Sequence, residues 1–467
     1  MSRVLLIDFG STYTKLTAVD IEKEEIIATA SAYTTVHTDI NDGLNEGLEM
    51  LRKKTGEVKY DKCYACSSAA GGLRMMTSGL VPELTGEAAK LASLGAGAKV
   101  VGVYSFELTD SDIEEIRQAN PDIFLLVGGT DGGNKDCILH NARMLASMKP
   151  EFPIILAGNR SAASECAGIL EGCEIYICPN VMPKFGVLQI EPVQKQIREI
   201  FLNRIVQAKG LSRAAELLSD IMMPTPSAVL QAMELLADGC EDEKGIGPLV
   251  AVDVGGATTD VYSIAEGMPE HMNTVYKGIP EPYAKRTVEG DIGMRYSLGG
   301  IIEASGINSI CNLSGIPEER VQEIADKLKK NPSIVPNGDE ELEKFDFALA
   351  SLAIDEAVTR HAGTITETYT MMGQTFLQEG KNLTGVKNIV VTGGSLIHTK
   401  RTAEIAKFAL YSNSKPASLK PKKADVWVDR TYILAAMGLL SSYYPRIALR
   451  IMKKELEHYE SSEQENQ

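Results

Sequence analysis

Two aspartates end apolar runs in this chain, and each is followed by a polar turn and a second strand-like run. Asp8 lies in "LLIDFGSTYTKL" and Asp253 in "LVAVDVGGATTDVYSI". A turn rich in Gly, Ser and Thr points backbone N–H groups into one concavity, which suits a phosphate. An aspartate has the wrong charge for phosphate but the right one for Mg²⁺, held through water while the ion bridges phosphate oxygens. Lys15 adds a point charge suited to a β- or γ-phosphate. The two copies stand about 245 positions apart, and this internal echo predicts two similar domains that hold a polyphosphate from both sides. A third turn, Gly393-Gly394-Ser395 in "NIVVTGGSLIHT", also follows an apolar strand and opens a helix. The patterns G-x-x-x-x-G-K-[ST] and strand–G-x-G-x-x-G are absent from the sequence. Both acids are expected to face an open cleft, so that removing either spares the fold.

The elements that must position these turns are legible as alternating patterns. Residues 4–8, 14–20 and 25–33 read as strands joined by tight turns, followed by a helix in "DINDGLNEGLEMLRKK" and a strand at 61–66. From 86 to 180 fully apolar strands ("KVVGVYS", "DIFLLVGG", "PIILAG", "EIYICP") alternate with amphipathic helices, the signature of a buried parallel sheet. The helix "DSDIEEIRQA" begins with acids and an Asp or Ser in position to cap it. Residues 181–245 read as mostly helical, interrupted by Pro-Thr-Pro at 224–226 and closed by the polar break "DGCEDEKGIGP". A strand is expected toward 271–278, then helices. The last twenty-five residues read as a charged helix fraying into "ESSEQENQ". The expected organisation is a first lobe at 1–85, an α/β middle region with a helical segment at 86–245, a second lobe at 246–445 and a charged tail at 446–467.

Bulk properties exclude several classes. The chain has 467 residues, 44% of them apolar, and a net charge of −16 with no basic stripe, which argues against a nucleic-acid binder. No run approaches the ~18 uninterrupted apolar residues of a spanning helix, and the C-terminal "RIALRIMKKELEHYE" reads as a solvated helix rather than a membrane anchor, since its acidic end repels anionic lipid. The eight cysteines fit a reducing, cytoplasmic setting. Cys63 and Cys66 have C-x-x-C spacing without a second pair or nearby histidines, so they read as buried thiols on opposite faces of a strand. The six histidines are scattered, with no pair at ligand spacing.

The trio of turns resembles the ATPase domain shared by actin, sugar kinases and heat-shock chaperones. "DFGSTYTK" resembles its first phosphate motif, "DVGGATTD" the second and "VVTGGS" the adenosine motif. The fold class implied is α/β, a two-lobed actin-like (ribonuclease-H-like) ATPase with an enlarged first lobe or an inserted α/β middle domain. By this resemblance Asp8 and Asp253 hold Mg²⁺ and the attacking water. Gly10, Ser11, Thr12 and Tyr13 cradle phosphates beside Lys15. Gly255, Gly256, Thr258 and Thr259 form the second clamp with Asp260 in support, and Gly393, Gly394 and Ser395 lie against adenosine.

Further stretches, "CSSAAGGLRM", "FLLVGGTDGGN", "PIILAGN" and "RTVEGDIGMR", resemble the MutL/GlmL family of glutamate mutase accessory proteins over roughly residues 1 to 440. The name is shared with a mismatch-repair protein whose ATPase is of another type. The resemblance implies ATP and Mg²⁺ as cofactors and reactivation of an adenosylcobalamin-dependent mutase, glutamate mutase or an aminomutase, whose subunits are the partners. No D-x-H-x-x-G pattern occurs, so no tightly bound cobalamin is expected. A small-molecule kinase of the same fold is the first alternative, although no catalytic base or acceptor pocket is identifiable. A nucleotide-sensing scaffold is the second, and a homo-oligomer is compatible with either. "VGGTDGGN" is either a plain turn or a contact for nucleotide or partner. Glu289 and Asp291 either cap a helix or border the cleft.

Overall fold

The computed structural model describes residues 2–10, 12–34, 40–68, 73–208, 220–270, 273–371 and 373–461. The chain folds into two compact units. The first comprises Met1–Ala232, Gly278–Pro282 and Leu434–Ile451, and the second Met233–Lys277, Tyr283–Ile433 and Met452–Gln467. The division falls inside a helix after Ala232, upstream of the polar break where the sequence suggests a boundary.

In the first unit, strands β1 (Arg3–Phe9), β2 (Tyr13–Asp20), β3 (Glu25–Tyr33) and β4 (Lys62–Ser67) form a sheet with β10 (Asp220–Pro224). Their order is β10-β4-β1-β2-β3. β1 to β3 form an antiparallel meander, whereas β4 and β10 run parallel to β1. β1 is apolar and buried along almost its whole length, as a central strand covered on both faces must be. Helix α1 (Ile40–Thr55) buries Leu44 and Leu51 and ends in Arg52, Lys53 and Lys54, which complement its C-terminal dipole.

A second sheet of the same unit contains β5 (Arg74–Gly79), β6 (Lys99–Ser105), β7 (Ile123–Leu126), β8 (Ile154–Leu156) and β9 (Ile175–Ile177). All its pairs are parallel, in the order β6-β5-β7-β8-β9. Its first strand, "RMMTSG", begins before the expected boundary at 86 and lacks the branched aliphatic residues that mark its neighbours. Helices α2 (Glu87–Gly95), α3 (Asp110–Ala119), α4 (Asp136–Met148), α5 (Ala163–Ile169) and α6 (Glu191–Ala208) accompany it. Met75, Leu125 and Ile155 share one core with Ile7 and Phe9 of the first sheet. Met76, Phe124, Leu126 and Ile154 face a separate core with residues of α3, α4 and α5. The cap of α3 is Thr109, not the expected Asp or Ser. Thr109 Oγ1 accepts from Asp112 N and Asp112 Oδ2 accepts from Thr109 N, a reciprocal capping box. Helix α7 (Thr225–Asp238) follows β10 directly.

In the second unit a short hairpin, β11 (Gly239–Cys240) and β12 (Glu243–Lys244), precedes β13 (Leu249–Val254) and β14 (Thr259–Ile264). A small sheet joins β15 (Thr274–Lys277) to β18 (Gly373–Glu379) and β17 (Thr364–Thr370). The main sheet adds β16 (Ala284–Glu289), β19 (Asn388–Thr392), β20 (Asp425–Val428) and β21 (Glu457–Tyr459), in the order β16-β14-β13-β19-β20-β21. Its first five strands repeat the plan of the first unit's sheet: an antiparallel meander of three, then parallel strands beside the first. This repeated order is the ribonuclease-H-like plan of the actin-like fold, enlarged here in the first unit by the parallel sheet. Leu342, Phe345, Leu349 and Ile354 of helix Glu340–His361 anchor the second unit's core.

The charged helix expected to run to the C-terminus ends at Glu455. It buries Ala448, Leu449, Ile451 and Met452, so it is a packed amphipathic helix, and Glu457–Tyr459 then pairs antiparallel with β20. Among the described residues no helix is long and apolar enough to cross a membrane.

Candidate functional site

In the first unit, β1 and β2 close with Gly10 N donating to Tyr13 O at 3.1 Å. A Cβ on Gly10 would stand 2.6 Å from Tyr13 O, so only glycine closes the turn this tightly. The register sets Asp8 opposite Lys15 and Phe9 opposite Thr14. Thr12 and Tyr13 are exposed at the tip, and Ser11 lies outside the described residues. Tyr13 meets Tyr33 edge to face, with ring centroids 5.9 Å apart.

Asp8 does not face open solvent as expected: it is only 6% exposed. Its Oδ1 accepts from Thr225 Oγ1 at 2.6 Å and from Cys66 Sγ at 3.5 Å, and its Oδ2 lies 3.9 Å from Lys15 Nζ. Burial, then the Asp8 carboxylate, push the Cys66 thiol well up, so it remains a neutral donor at physiological pH. Cys63 is half-buried and unbridged.

Thr225 was missed because Pro-Thr-Pro reads as a break. The available signal was Thr at the head of a helix with Pro next to it. β10 ends at Pro224 beside β4, whose Cys66 is paired with Asp8. The fold thereby carries residue 225 to residue 8.

In the second unit, β13 and β14 close with Gly255 N donating to Thr258 O at 2.9 Å. A Cβ on Gly255 would stand 2.7 Å from that oxygen, a near copy of the first turn. Asp253 is half-buried and lies opposite Asp260. Asp260 Oδ1 accepts from Arg286 Nε at 2.8 Å and lies 2.6 Å from its Nη2. Arg286 is buried on β16, and sequence reading missed it because a Lys-Arg pair in a strand looks like surface. Burial, then the Asp260 carboxylate, raise the neighbouring Tyr262 phenol well above its usual range.

Gly256 is exposed and Thr258 half-buried. Thr259 departs from its expected clamp role, because its buried hydroxyl donates to Ile292 O at 2.9 Å. The carbonyls of Gly255 and Gly256 accept from Met294 N, and from Arg295 N and Tyr296 N. The "GDIGMR" stretch therefore braces the turn. Glu289 and Asp291 both pair with Arg360 Nη1, at 3.0 and 2.7 Å.

The third turn joins this half-site. β19 runs parallel to β13 with Thr392 opposite Asp253, and Gly393 (φ 119°) would set a Cβ 2.3 Å from Val254 O. Gly394 is exposed, Ser395 is half-buried, and Leu396 N and Ile397 N donate to Gly393 O. The fold thus gathers Asp8, Gly10, Thr12, Tyr13 and Lys15 in the first unit. It gathers Asp253, Gly255, Gly256, Thr258, Asp260, Gly393, Gly394 and Ser395 in the second.

Comparisons with known proteins extend this description. The chain is 49% identical over 464 residues to the protein MutL of Clostridium tetanomorphum, covering 98% of this chain and 99% of that one. Among solved structures it is similar to an ethanolamine utilization protein EutJ from Carboxydothermus hydrogenoformans, at 13% identity and a TM-score of 0.28, covering 96% of this chain and 90% of that one. It is also similar to a xylulose kinase from Lactobacillus acidophilus, at 11% identity and a TM-score of 0.35, covering 99% and 94%. Both structural likenesses are distant, and the strand order is what carries the fold. The family model described as MutL protein matches residues 4–456, and the chain belongs to that family.

Proposed function

We propose that this protein is an ATP-dependent reactivating chaperone for an adenosylcobalamin-dependent mutase, glutamate mutase or a related aminomutase. The nucleotide part rests on one observation: two glycine-closed hairpins of the same geometry, each following a strand that carries an aspartate. The mutase part rests on membership of the MutL protein family.

The residues fit MgATP. Asp8 and Asp253 would supply carboxylates for Mg²⁺ through water, and Thr12 and Tyr13, with Gly256 and Thr258, would supply donors for phosphate oxygens, while Gly10 and Gly255 use their N–H groups to close the two turns. Lys15 adds positive charge beside Asp8. Gly393, Gly394 and Ser395 offer a close backbone approach for adenosine. When bound, MgATP supplies a hydrolysable phosphoanhydride. Thr225 and Cys66 hold Asp8 in place, and Arg286 holds Asp260 in place behind the second turn. Work on the mutase requires that it bind the ATP and ADP forms with different affinity.

The test is to mix the protein with glutamate mutase carrying inactive hydroxocobalamin and follow cofactor release. Release that needs MgATP and vanishes with Asp253→Asn supports the proposal. No release despite ATP binding overturns glutamate mutase as the partner.

A further inference from the structure

The parallel sheet of the first unit carries a feature that the nucleotide reading does not use. Its order, β6-β5-β7-β8-β9, places the first strand in sequence inside the sheet, with the chain winding outward to β6 on one side and to β7, β8 and β9 on the other. Ligands of open parallel sheets bind outside the carboxyl ends of the strands, at the point where this winding reverses. That point lies between β5 and β7, and the loop leaving β7 there is "VGGTDGGN".

This loop is built rather than slack. Asn159, buried after β8, donates to Gly133 O and Asn134 O at 3.1 and 3.0 Å, and accepts from Gly132 N at 3.1 Å. Asn180, buried after β9, donates to Gly129 O and Asp131 Oδ1, both at 3.0 Å. Loops from three successive strands are therefore tied together at the carboxyl edge. Yet among the described residues no acceptor reaches the N–H groups of Gly128 or Gly129, although both residues are buried. Buried backbone donors without acceptors are rare and call for a water, an ion or a ligand. The Ser78 hydroxyl, at the carboxyl end of β5 and in register with Leu126, is also buried without a partner. Lys135 and Arg160 stand exposed on the same loops, with no ion pair among the described residues.

We infer that this edge of the sheet is a second ligand site, which takes the oxyanion of a small molecule, a phosphate or a carboxylate, on the N–H groups of Gly128 and Gly129. Consecutive N–H groups around a left-handed glycine are a recurrent anion cradle, and Gly129 has φ 70°. The inference does not depend on the nucleotide reading, because it uses none of the hairpin residues.

The sequence makes the test clean. Val-Gly pairs occur at 101–102, 127–128 and 254–255 only, so ¹³C′-valine, ¹⁵N-glycine labelling of the full chain reports three amides. Gly102 is a control, Gly128 reports the proposed site and Gly255 the second hairpin. Titration with inorganic phosphate, and separately with succinate, should move Gly128 saturably and leave Gly102 still. Phosphate alone acting would assign a phosphate-bearing ligand, and succinate alone a carboxylate. Lys135→Glu with Arg160→Glu, on exposed residues outside the hairpins, should weaken the response at least tenfold. A Gly128 amide that stays fixed, moves without saturating, or responds unchanged in the double variant overturns the inference. The Gly255 response to MgATP reads the nucleotide proposal separately.

Discussion

The hairpins at Asp8 and Asp253 close with the same bond, but the residue across from each aspartate carries opposite charge. Lys15 faces Asp8, and Asp260 faces Asp253. In the first unit the cation is on the hairpin's own second strand, 3.9 Å from the acid. In the second it comes from behind, as Arg286 on the neighbouring strand. The same divergence recurs at the fifth strand of each sheet. β10 delivers Thr225 to Asp8, whereas β20 is followed by buried Asp429, which accepts from Ile433 N at 3.1 Å. A duplicated scaffold thus keeps its turn geometry and lets its charges specialise. The geometry is fixed by a close backbone approach at Gly10 and Gly255, and the charges are set by side chains whose counter-charge can come from the hairpin or from a neighbouring strand.

This contrast is open to attack in order of expected effect. Arg286→Met removes the buried partner of the half-buried Asp260, and should cost the second unit about 3–5 kcal/mol in chemical denaturation. A loss under 1 kcal/mol, on the order of a surface pair, would show that Arg286 is not the counter-charge. Asp8→Ala strands the Thr225 hydroxyl and the Cys66 thiol, and should cost about 1–3 kcal/mol. Thr225→Val should cost a comparable or smaller amount and Thr225→Ser should restore it, so equal stability in both variants would remove Thr225 from the site. His361 is buried between Ser263 and Thr287, and burial, then Lys285 and Lys381, hold its pKa well below 6.5. Its unfolded form therefore binds the proton first, and stability falls as pH drops below 6.5, by up to about 1.4 kcal/mol per pH unit. His361→Gln should flatten that slope, and an unchanged slope would refute the assignment. Lys15→Met should change stability by less than about 1 kcal/mol while weakening MgATP binding, and so separates the charge on the first hairpin from the one behind the second.

Much of this was legible in the sequence, because an apolar strand, an acid and a Gly-closed turn are local patterns. The meander of β1 to β3, helix α1 and the alternation from β6 to β9 follow from periodicity. What escaped depends on distant segments. β5 is a central strand written in Met, Met, Thr and Ser, so only its neighbours mark it as buried. Thr225 reaches Asp8 across more than two hundred residues, and nothing local to either announces the pairing. Thr259 resembles a clamp residue until the 290–296 stretch folds over and takes its hydroxyl. The burial of Asp8 likewise follows from β4 pairing beside β1 and from Thr225 arriving at the end of β10, not from its own turn.

The proposal that Asp8 and Asp253 each serve ATP hydrolysis is tested most directly by the MgATP hydrolysis rates of Asp8→Asn and Asp253→Asn. Asparagine keeps an acceptor for Thr225, so the fold of the first variant should survive by circular dichroism. Each variant should lose about 10²–10³ in rate, as sites do when one preorganised electrostatic contact is removed. A folded variant of either kind that hydrolyses ATP at the wild-type rate would contradict the proposal.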